Sequence, residues 1–180
     1  MSDLTYLQAI VLGVVQGLTE FLPVSSSAHL AIAQRWCALD PESLPMHVFD
    51  GLVHIGTTLA VLIVFAGPLR RYGYRLIGEL SSNWTGKRYA LRILLLGVMA
   101  TIPTGVIGLG FKKTFERAFG EPVWIGVGLL LTGVLLAVTA YVGRGKRGWK
   151  DFAWWQALLV GIAQGIAIWP GVSRSGSTIC

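Results

Sequence analysis

Charged residues are scarce in this chain of 180 residues: Asp, Glu, Lys and Arg make up 13% of it, whereas 53% is hydrophobic. Soluble domains contain roughly a quarter charged residues, so the composition excludes an ordinary soluble domain. Cysteine is also rare. With only Cys37 and Cys180, the chain has too few cysteines for a disulfide framework and no spacing typical of a cysteine-based metal site. The N-terminus lacks a basic segment and a small-residue cleavage site, so we expect Leu4 to Leu22 to be retained.

The chain does contain apolar runs long enough to cross a bilayer, which takes about 20 residues. We predict spans over 48–67, 89–111 and 123–142, with a kink at Pro103. The net charge of +6 is compatible with nucleic-acid binding. The positive residues, however, lie in short segments between apolar runs, where they anchor and orient spans. We therefore expect a multi-pass membrane protein with no nucleic-acid partner.

The distribution of Lys and Arg predicts the orientation of these spans. Basic loops over 70–88 and 143–151 lie two spans apart and are predicted to face the cytoplasm. The loops 38–46 and 112–122 are then predicted to lie outside.

Two segments of the chain repeat each other. Residues 8–30 (QAIVLGVVQGLTEFLPVSSSAHL) are echoed 148 positions later by residues 156–178 (QALLVGIAQGIAIWPGVSRSGST). Each is an apolar, helix-like run that breaks at Pro or Gly and enters a serine cluster. Membrane proteins with broken helices in corresponding halves usually bind their ligand there.

The repeat predicts an all-α integral membrane protein with an inverted-topology repeat. A re-entrant pair over 4–36 and the three spans form a first repeat over 1–148, and 149–180 begin a second, incomplete repeat. Because three spans separate the serine clusters, the clusters are expected to enter the membrane from opposite sides. If both repeats have the same length, roughly 100 residues follow Cys180, so we expect the chain to be a fragment of a longer protein.

The first serine cluster follows a carboxylate. Gln16 and Glu20 share a helical face, and a carboxylate inside an apolar run is a functional-site hypothesis. After Pro23, a serine that begins a helix is a good cap, and the free N–H groups there attract anions. His29 suits a general acid, a general base or a nucleophile. The alternative is that Glu20 is hydrated at an interface while the serines only cap and pack helices.

The second cluster, PGVSRSGST, contains the only charge between Asp151 and the end of the chain. Arg174 presents a planar fork of donors that matches phosphate oxygens. Its hydroxyl-bearing neighbours are Ser173, Ser175, Ser177 and Thr178. A snorkelling Arg at the end of a span is the alternative, but pairing with the first cluster favours a phosphate site.

Two further patterns point to packing rather than to chemistry. Gly-x-x-x-Gly pairs are predicted to form helix-packing faces that let the repeats approach closely; they are Gly13 with Gly17 and Gly161 with Gly165. His47, Asp50 and His54 are spaced about one helical turn apart, so their side chains are candidate metal ligands. No fourth ligand is evident, so we expect these three to line the site or to support its functional side chains.

The motifs GLTEFLPVSSSAH and PGVSRSGST resemble the bacterial undecaprenyl-diphosphate phosphatase family associated with bacitracin resistance. The resemblance extends over both motifs and the layout between them. It implies a hydrolase of the bacterial plasma (inner) membrane that converts undecaprenyl diphosphate to undecaprenyl phosphate and inorganic phosphate. This reaction recycles the lipid carrier for peptidoglycan synthesis and confers bacitracin resistance. An inverted-repeat fold with re-entrant segments is also implied.

Carried over residue by residue, the resemblance assigns catalysis to Glu20, Ser26, His29 and Arg174. Either Ser26 or His29 attacks phosphorus, and this choice stays open. Glu20 is implied to bind a divalent cation (Mg or Ca), and Gln16 stands where many members have a second carboxylate. Phosphate binding is assigned to Gln16, Ser25, Ser27, Ser173, Ser175 and Thr178.

The partners implied are a polyprenyl diphosphate lipid and the bilayer, with homo-oligomer formation left open. The main alternative function is a lipid-phosphate flippase or transporter, since broken helices in an inverted repeat suit alternating access equally well. The combination of Ser26, His29 and Arg174 favours catalysis over transport, because binding a lipid phosphate does not require so many reactive side chains. A non-catalytic scaffold would leave buried Glu20 and Arg174 without a task.

Overall fold

The computed structural model describes residues 4–81, 85–86, 88–142 and 152–179, and within these ranges the chain is all-α, with no strand. This confirms the all-α part of the predicted fold class. The helices are α1 (Tyr6–Glu20), α2 (Ser26–Trp36), α3 (Leu44–Val64), α4 (Ala66–Leu80), α5 (Tyr89–Gly110), α6 (Lys112–Gly120), α7 (Pro122–Tyr141), α8 (Trp154–Ile166) and α9 (Arg174–Ile179).

Three of these helices, α3, α5 and α7, are long and apolar enough to cross a membrane. They correspond to the three predicted spans, although α3 begins four residues earlier than 48 and ends at Val64. Pro103 lies inside α5, which continues through it. Most of the apolar surface of these helices is exposed, as expected for side chains that face lipid.

Two of the predicted loops are largely helical instead. Arg70, Arg71 and Arg75 lie on α4, and most of 112–122 forms α6. On α4, the half-buried Tyr72 and Leu76 and the buried Glu79 recur at helical spacing, so the helix has an inward face that a count of charges does not reveal. The second basic segment, 143–151, lies outside the described residues, as does Lys87.

Contacts between segments agree with the predicted pairing of the loops. Arg35, next to 38–46, donates from Nη2 to the carbonyl of Gly120 at 3.4 Å. At the other end, Arg92 donates from Nη2 to the carbonyl of Phe152 at 2.8 Å, which brings the chain after 70–88 close to the chain after 143–151. The orientation of these ends relative to the cytoplasm stays a prediction.

The two sequence repeats begin with the same local structure. Gln8 accepts a hydrogen bond at Oε1 from the N–H of Thr5 at 2.9 Å, and Gln156 accepts one from the N–H of Ala153 at 2.7 Å. Each glutamine therefore satisfies an N–H group at the start of its helix. Both copies continue as a helix, a break and a second helix. The inverted orientation of the copies stays a prediction.

The two Gly-x-x-x-Gly pairs differ in their surroundings. A Cβ added to Gly161 would lie 2.2 Å from the carbonyl oxygen of Ala100, and one added to Gly165 would lie 2.7 Å from Ile107. This pair is a packing face, and its partner α5 lies within the predicted first repeat, so the packing prediction is confirmed for Gly161 and Gly165. A Cβ at Gly13 or Gly17 would meet nothing within 4 Å in the described part of the chain, so for this pair the packing stays a prediction.

The second serine cluster is fixed to α7 by close backbone approach and by one hydroxyl. A Cβ on Gly128 would lie 2.1 Å from the carbonyl oxygen of Pro170, and Gly171 has a positive φ of 87° that favours glycine. The buried hydroxyl of Thr132 donates to the carbonyl of Gly171 at 3.0 Å and accepts from the N–H of Ser173 at 2.9 Å. α7 therefore determines where the second cluster lies.

A buried carboxylate joins α4 to the start of α5. Glu79 is fully buried and accepts hydrogen bonds from the N–H of Leu91 at 2.9 Å and from Nε of Arg75 at 3.0 Å. Burial alone would raise the pKa of Glu79, but the N–H groups of Leu91 and Ala90 and the Arg75 guanidinium outweigh it and hold the pKa below its usual value.

We expect Thr132→Val to destabilise the second cluster, because it leaves the carbonyl of Gly171 and the N–H of Ser173 without a partner. An unpaired buried group costs about 1–3 kcal/mol. The measurement is the thermal unfolding midpoint in detergent. Thr101→Val is the matched control, since the exposed Thr101 hydroxyl bonds only within its own helix, to Gly97; equal midpoints for the two variants would contradict the role of Thr132.

We also expect the stabilising effect of Glu79 to depend on pH. Its pKa is lower in the folded chain than the usual 4.5, so the contribution is fully present above that pH and is lost as the pH falls through the folded-state pKa. The unfolding midpoints of the original chain and of Glu79→Gln should therefore differ most near neutral pH and converge below pH 4.5. Glu116→Gln, at an exposed pair with Lys112, should show no such convergence; a constant gap for Glu79→Gln would refute the expectation.

Candidate active site

A polar cavity of about 270 Å³ lies where the two serine clusters meet. It brings together seven of the residues singled out in the sequence, although the two motifs lie 148 positions apart. The cavity is lined by Glu20, Leu22, Ser25, Ser26, Ser27, Gln164, Val172, Ser173, Arg174 and Ser175.

A direct hydrogen bond joins the two motifs, and further bonds within the second motif support it. The hydroxyl of Ser175 donates to the carbonyl of Leu22 at 3.2 Å, across the break of the first motif. Ser173 lies 3.1 Å from Ser175, oxygen to oxygen, and its hydroxyl accepts from the N–H of Gly176 at 3.0 Å. The serines of the second cluster therefore shape the cavity wall as well as line it.

Glu20 is the centre of a polar network at one side of the cavity. Its Oε2 accepts hydrogen bonds from Nε2 of Gln16 at 2.8 Å and from the hydroxyl of Ser26. The Nε2 atom of His54 lies 3.8 Å from the same oxygen. Gln16 is fully buried behind the cavity, so it orients the carboxylate rather than lining the cavity itself. A carboxylate bonded to a serine hydroxyl is placed to accept that hydroxyl's proton.

Ser25 occupies the N-cap of α2 but does not cap it. Its backbone is left-handed, with φ of 65°, and its side chain makes no capping hydrogen bond. N-cap residues normally have an extended backbone that directs the side-chain oxygen to the first turn, so the capping prediction is wrong for this serine. The Ser25 hydroxyl is buried without a partner among the described residues, and Ser25 lines the cavity.

The positive side of the cavity is formed by Arg174 and by the start of α2. Arg174 is exposed and forms no ion pair with a described residue. Ser26 and Ser27 lie in the first turn of α2, where backbone N–H groups have no partner within the helix. A guanidinium and a helix N-terminus both favour an anion.

Two other predicted site residues lie next to the lining. The Nδ1 atom of His29 is 2.9 Å from the carbonyl of Ser25. Thr178 donates its hydroxyl to the carbonyls of Arg174 at 3.1 Å and Ser175 at 3.0 Å. These side chains contact the backbone of lining residues, and His29 and Thr178 are not themselves among the residues that line the cavity.

Three lining residues were not singled out from the sequence: Leu22, Gln164 and Val172. A signal for Gln164 was present, because it is the repeat counterpart of Gln16. One copy of this glutamine orients the carboxylate and the other faces the cavity, so both copies contribute to the same site.

An apolar groove of about 410 Å³ adjoins the cavity, and Val172 lines both. Its aromatic side is built by Trp169, whose ring packs edge-on against Trp124 at 5.4 Å and Phe115 at 6.3 Å between centroids. The complete lining is Ile107, Phe111, Phe115, Trp124, Val127, Leu131, Ile166, Trp169 and Val172. A ligand with a polar head and an apolar tail matches this pair of surfaces.

The described residues contain no group of three His, Cys, Asp or Glu side chains that could hold a metal ion. His47, Asp50 and His54 therefore form no such site by themselves. Oδ1 of Asp50 accepts from Nε2 of the buried Gln34 at 2.6 Å, and of the three only His54 reaches toward Glu20.

Comparison with known proteins adds independent evidence. The family described as bacitracin resistance protein BacA matches residues 9–180. The chain is 43% identical over 181 residues to an undecaprenyl-diphosphatase from Alkaliphilus metalliredigens, covering 98% of this chain and 65% of that protein. It is 42% identical over 185 residues to one from Desulfatibacillum aliphaticivorans, covering 97% and 66%.

A third relative, the undecaprenyl-diphosphatase from Acaryochloris marina, is 43% identical over 176 residues, covering 98% of this chain and 65% of that protein. The chain thus spans slightly less than two thirds of the length of these relatives. The three span-length helices and the family match agree that this is a membrane protein. The match over almost the whole chain, with both serine motifs inside it, shows that the chain belongs to the bacitracin resistance protein BacA family.

Proposed function

We propose that this chain belongs to an enzyme of the bacterial plasma membrane that hydrolyses undecaprenyl diphosphate to undecaprenyl phosphate and inorganic phosphate. The observation that carries the proposal is the cavity in which Arg174, the start of α2 and the Glu20–Ser26 pair converge. The relatives named undecaprenyl-diphosphatase support hydrolysis over transport. By recycling the lipid carrier, such an enzyme would support cell-wall synthesis and bacitracin resistance.

The cavity offers separate donors for a diphosphate. Arg174 presents a planar fork to phosphate oxygens, the buried Ser25 hydroxyl has no hydrogen-bond partner among the described residues, and the first turn of α2 contributes backbone N–H groups. Donors that are already in place cost little reorganisation when charge shifts between phosphate groups. Arg174 and α2 would thus stabilise the charge that develops on the oxygen between the two phosphates.

The Ser26–Glu20 pair suits the attacking step. Ser26 lines the cavity and bonds to Glu20, which supports Ser26 as nucleophile and Glu20 as its base. The Ser26 oxygen would bond to the terminal phosphorus while the bond from that phosphorus to the bridging oxygen breaks. Undecaprenyl phosphate leaves, the serine proton passes to Glu20, and water then releases inorganic phosphate from Ser26. His29 is the second candidate for attack, but it does not line the cavity.

A divalent cation would find some of its ligands in this site and the rest in the substrate. Glu20 is the one carboxylate of the lining, and Mg²⁺ is commonly held by one or two carboxylates plus substrate phosphates. The fully buried Gln16 has an Oε1 atom without a hydrogen-bond partner among the described residues, which adds an oxygen donor beside Glu20. When bound, the cation would neutralise charge on the diphosphate.

The apolar groove is proposed to receive the first part of the prenyl chain. Val172 connects it to the polar cavity, so a lipid with its diphosphate near Arg174 would enter the groove with the adjoining hydrocarbon. A groove that binds the tail equally in the ground and transition states should affect KM more than kcat.

We expect Arg174→Lys to lower phosphate release from a prenyl diphosphate by about 10²-fold, because Lys keeps the charge but loses the fork of donors. Release of inorganic phosphate in detergent is the measurement. Arg71→Lys, at an exposed position on α4, is the matched control and should be close to the original chain. Near-normal turnover of Arg174→Lys would contradict the phosphate-clamping role.

We expect Val127→Asn to raise KM for a long prenyl diphosphate by about tenfold with little change in kcat, because it places an amide in the apolar groove. The effect should fade with a short prenyl diphosphate whose tail does not reach Val127. Val138→Asn lies on the same helix but outside the groove and provides the control. An equal rise in KM for both variants would argue against the groove as the tail site.

A further inference from the structure

We propose that His54 is a metal ligand, which together with Glu20 gives the site a preference for transition-metal ions such as Mn²⁺ and Co²⁺ over Mg²⁺. The proposal rests on the proposed function in so far as Glu20 is taken to bind a cation. His54 lies on α3, outside both repeated motifs, and nothing in the motifs alone assigns it to the site. It acts at the cavity because the ring reaches the carboxylate of Glu20.

The distance between the two groups is the first observation. Nε2 of His54 lies 3.8 Å from Oε2 of Glu20, and both side chains are partly buried, at 33% and 26% exposure. Ligand atoms that bind one metal ion at about 2.1 Å lie roughly 3 Å from each other. A shift of less than about 1 Å in two partly exposed side chains therefore brings both atoms to ligand spacing.

The orientation of the ring is the second observation. Nδ1 of His54 lies 2.8 Å from the carbonyl oxygen of Asp50, a contact that requires an N–H on Nδ1. In the neutral ring, Nε2 then carries the lone pair and faces the carboxylate oxygen of Glu20. Two acceptors in this position repel each other unless a cation or a proton lies between them. A ring N–H bonded to a backbone carbonyl is also the usual support of a metal-binding histidine.

The hydrogen bonds of the neighbouring polar groups show which of them are available as metal ligands. Oε1 of Gln16 is buried without a partner among the described residues, while the Nε2 atom of the same side chain contacts Glu20. The Asp50 carboxylate is engaged by Gln34 instead. The site therefore offers one imidazole, one carboxylate and one amide oxygen, with water or phosphate oxygens for the rest. Imidazole suits transition metals, whereas Mg²⁺ prefers oxygen ligands.

The test is substrate-free metal binding to the purified chain in detergent. Mn²⁺ binding is followed by electron paramagnetic resonance, Co²⁺ binding by its visible absorption, and Mg²⁺ by competition with Mn²⁺. We expect His54→Gln to weaken Co²⁺ and Mn²⁺ binding about tenfold or more while Mg²⁺ binding changes little. His47→Gln, two turns earlier on α3, should leave all three affinities unchanged.

The main competing explanation predicts that His54→Gln does not weaken cation binding. If His54 is only a protonated ion-pair partner of Glu20, His54→Gln removes a positive charge and cation binding becomes tighter or stays equal; either result overturns the proposal. So does the absence of Co²⁺ binding to the original chain at millimolar concentration.

A second variant covers the case in which His54→Gln does not fold. His54→Asp keeps a ligand but replaces the imidazole by a carboxylate, so the preference should move from Co²⁺ toward Mg²⁺; an unchanged preference would refute the proposal. Because no substrate is present, the result does not depend on phosphatase activity. A chain that releases no phosphate but shows a His54-dependent Co²⁺ spectrum would leave this inference in place, since the proposed function is tested separately by phosphate release.

Discussion

The site depends on the junction between α7 and the second serine cluster. Thr132 satisfies the carbonyl of Gly171 and the N–H of Ser173 with one hydroxyl, and both groups are buried where few other partners exist. Ser173 in turn positions Ser175, whose hydroxyl reaches the carbonyl of Leu22. The span α7 thus positions the second motif, and the second motif contacts the first. These hydrogen bonds matter because a buried polar group that loses its partner is destabilising.

The repeat supplies a common frame, and the chemistry arises where its two copies differ. Ser25 and Ser27 recur as Ser173 and Ser175, and all four line the cavity. At the position between them, the first copy has Ser26 and the second has Arg174. The nucleophile and the cation of the proposed reaction therefore occupy equivalent places in the two copies. Two similar elements that meet face to face can supply both halves of a reaction only if they have diverged at such positions.

Much of the fold could be predicted, because span length and repeated motifs are local signals. The three spans follow from apolar runs, and the meeting of the two clusters follows from the repeat. The helices α4 and α6 could not be predicted from charge counts, since a basic segment is helical when one face is buried, as at Glu79. Gln164 was not assigned to the site, and His54 was expected beside it only together with His47 and Asp50, because the proximity of these residues to the cavity depends on how α8 and α3 pack.

The electrostatics of the cavity link anion binding to cation binding. Glu20 and Arg174 line the same small space, so a diphosphate attracted by Arg174 must approach the negative charge of Glu20. A cation held by Glu20 and His54 would turn this repulsion into attraction. By linkage, each ion should then raise the affinity for the other. Under the proposed function, a metal ion shared by Glu20 and His54 would therefore make the carboxylate compatible with a phosphate site in the same cavity.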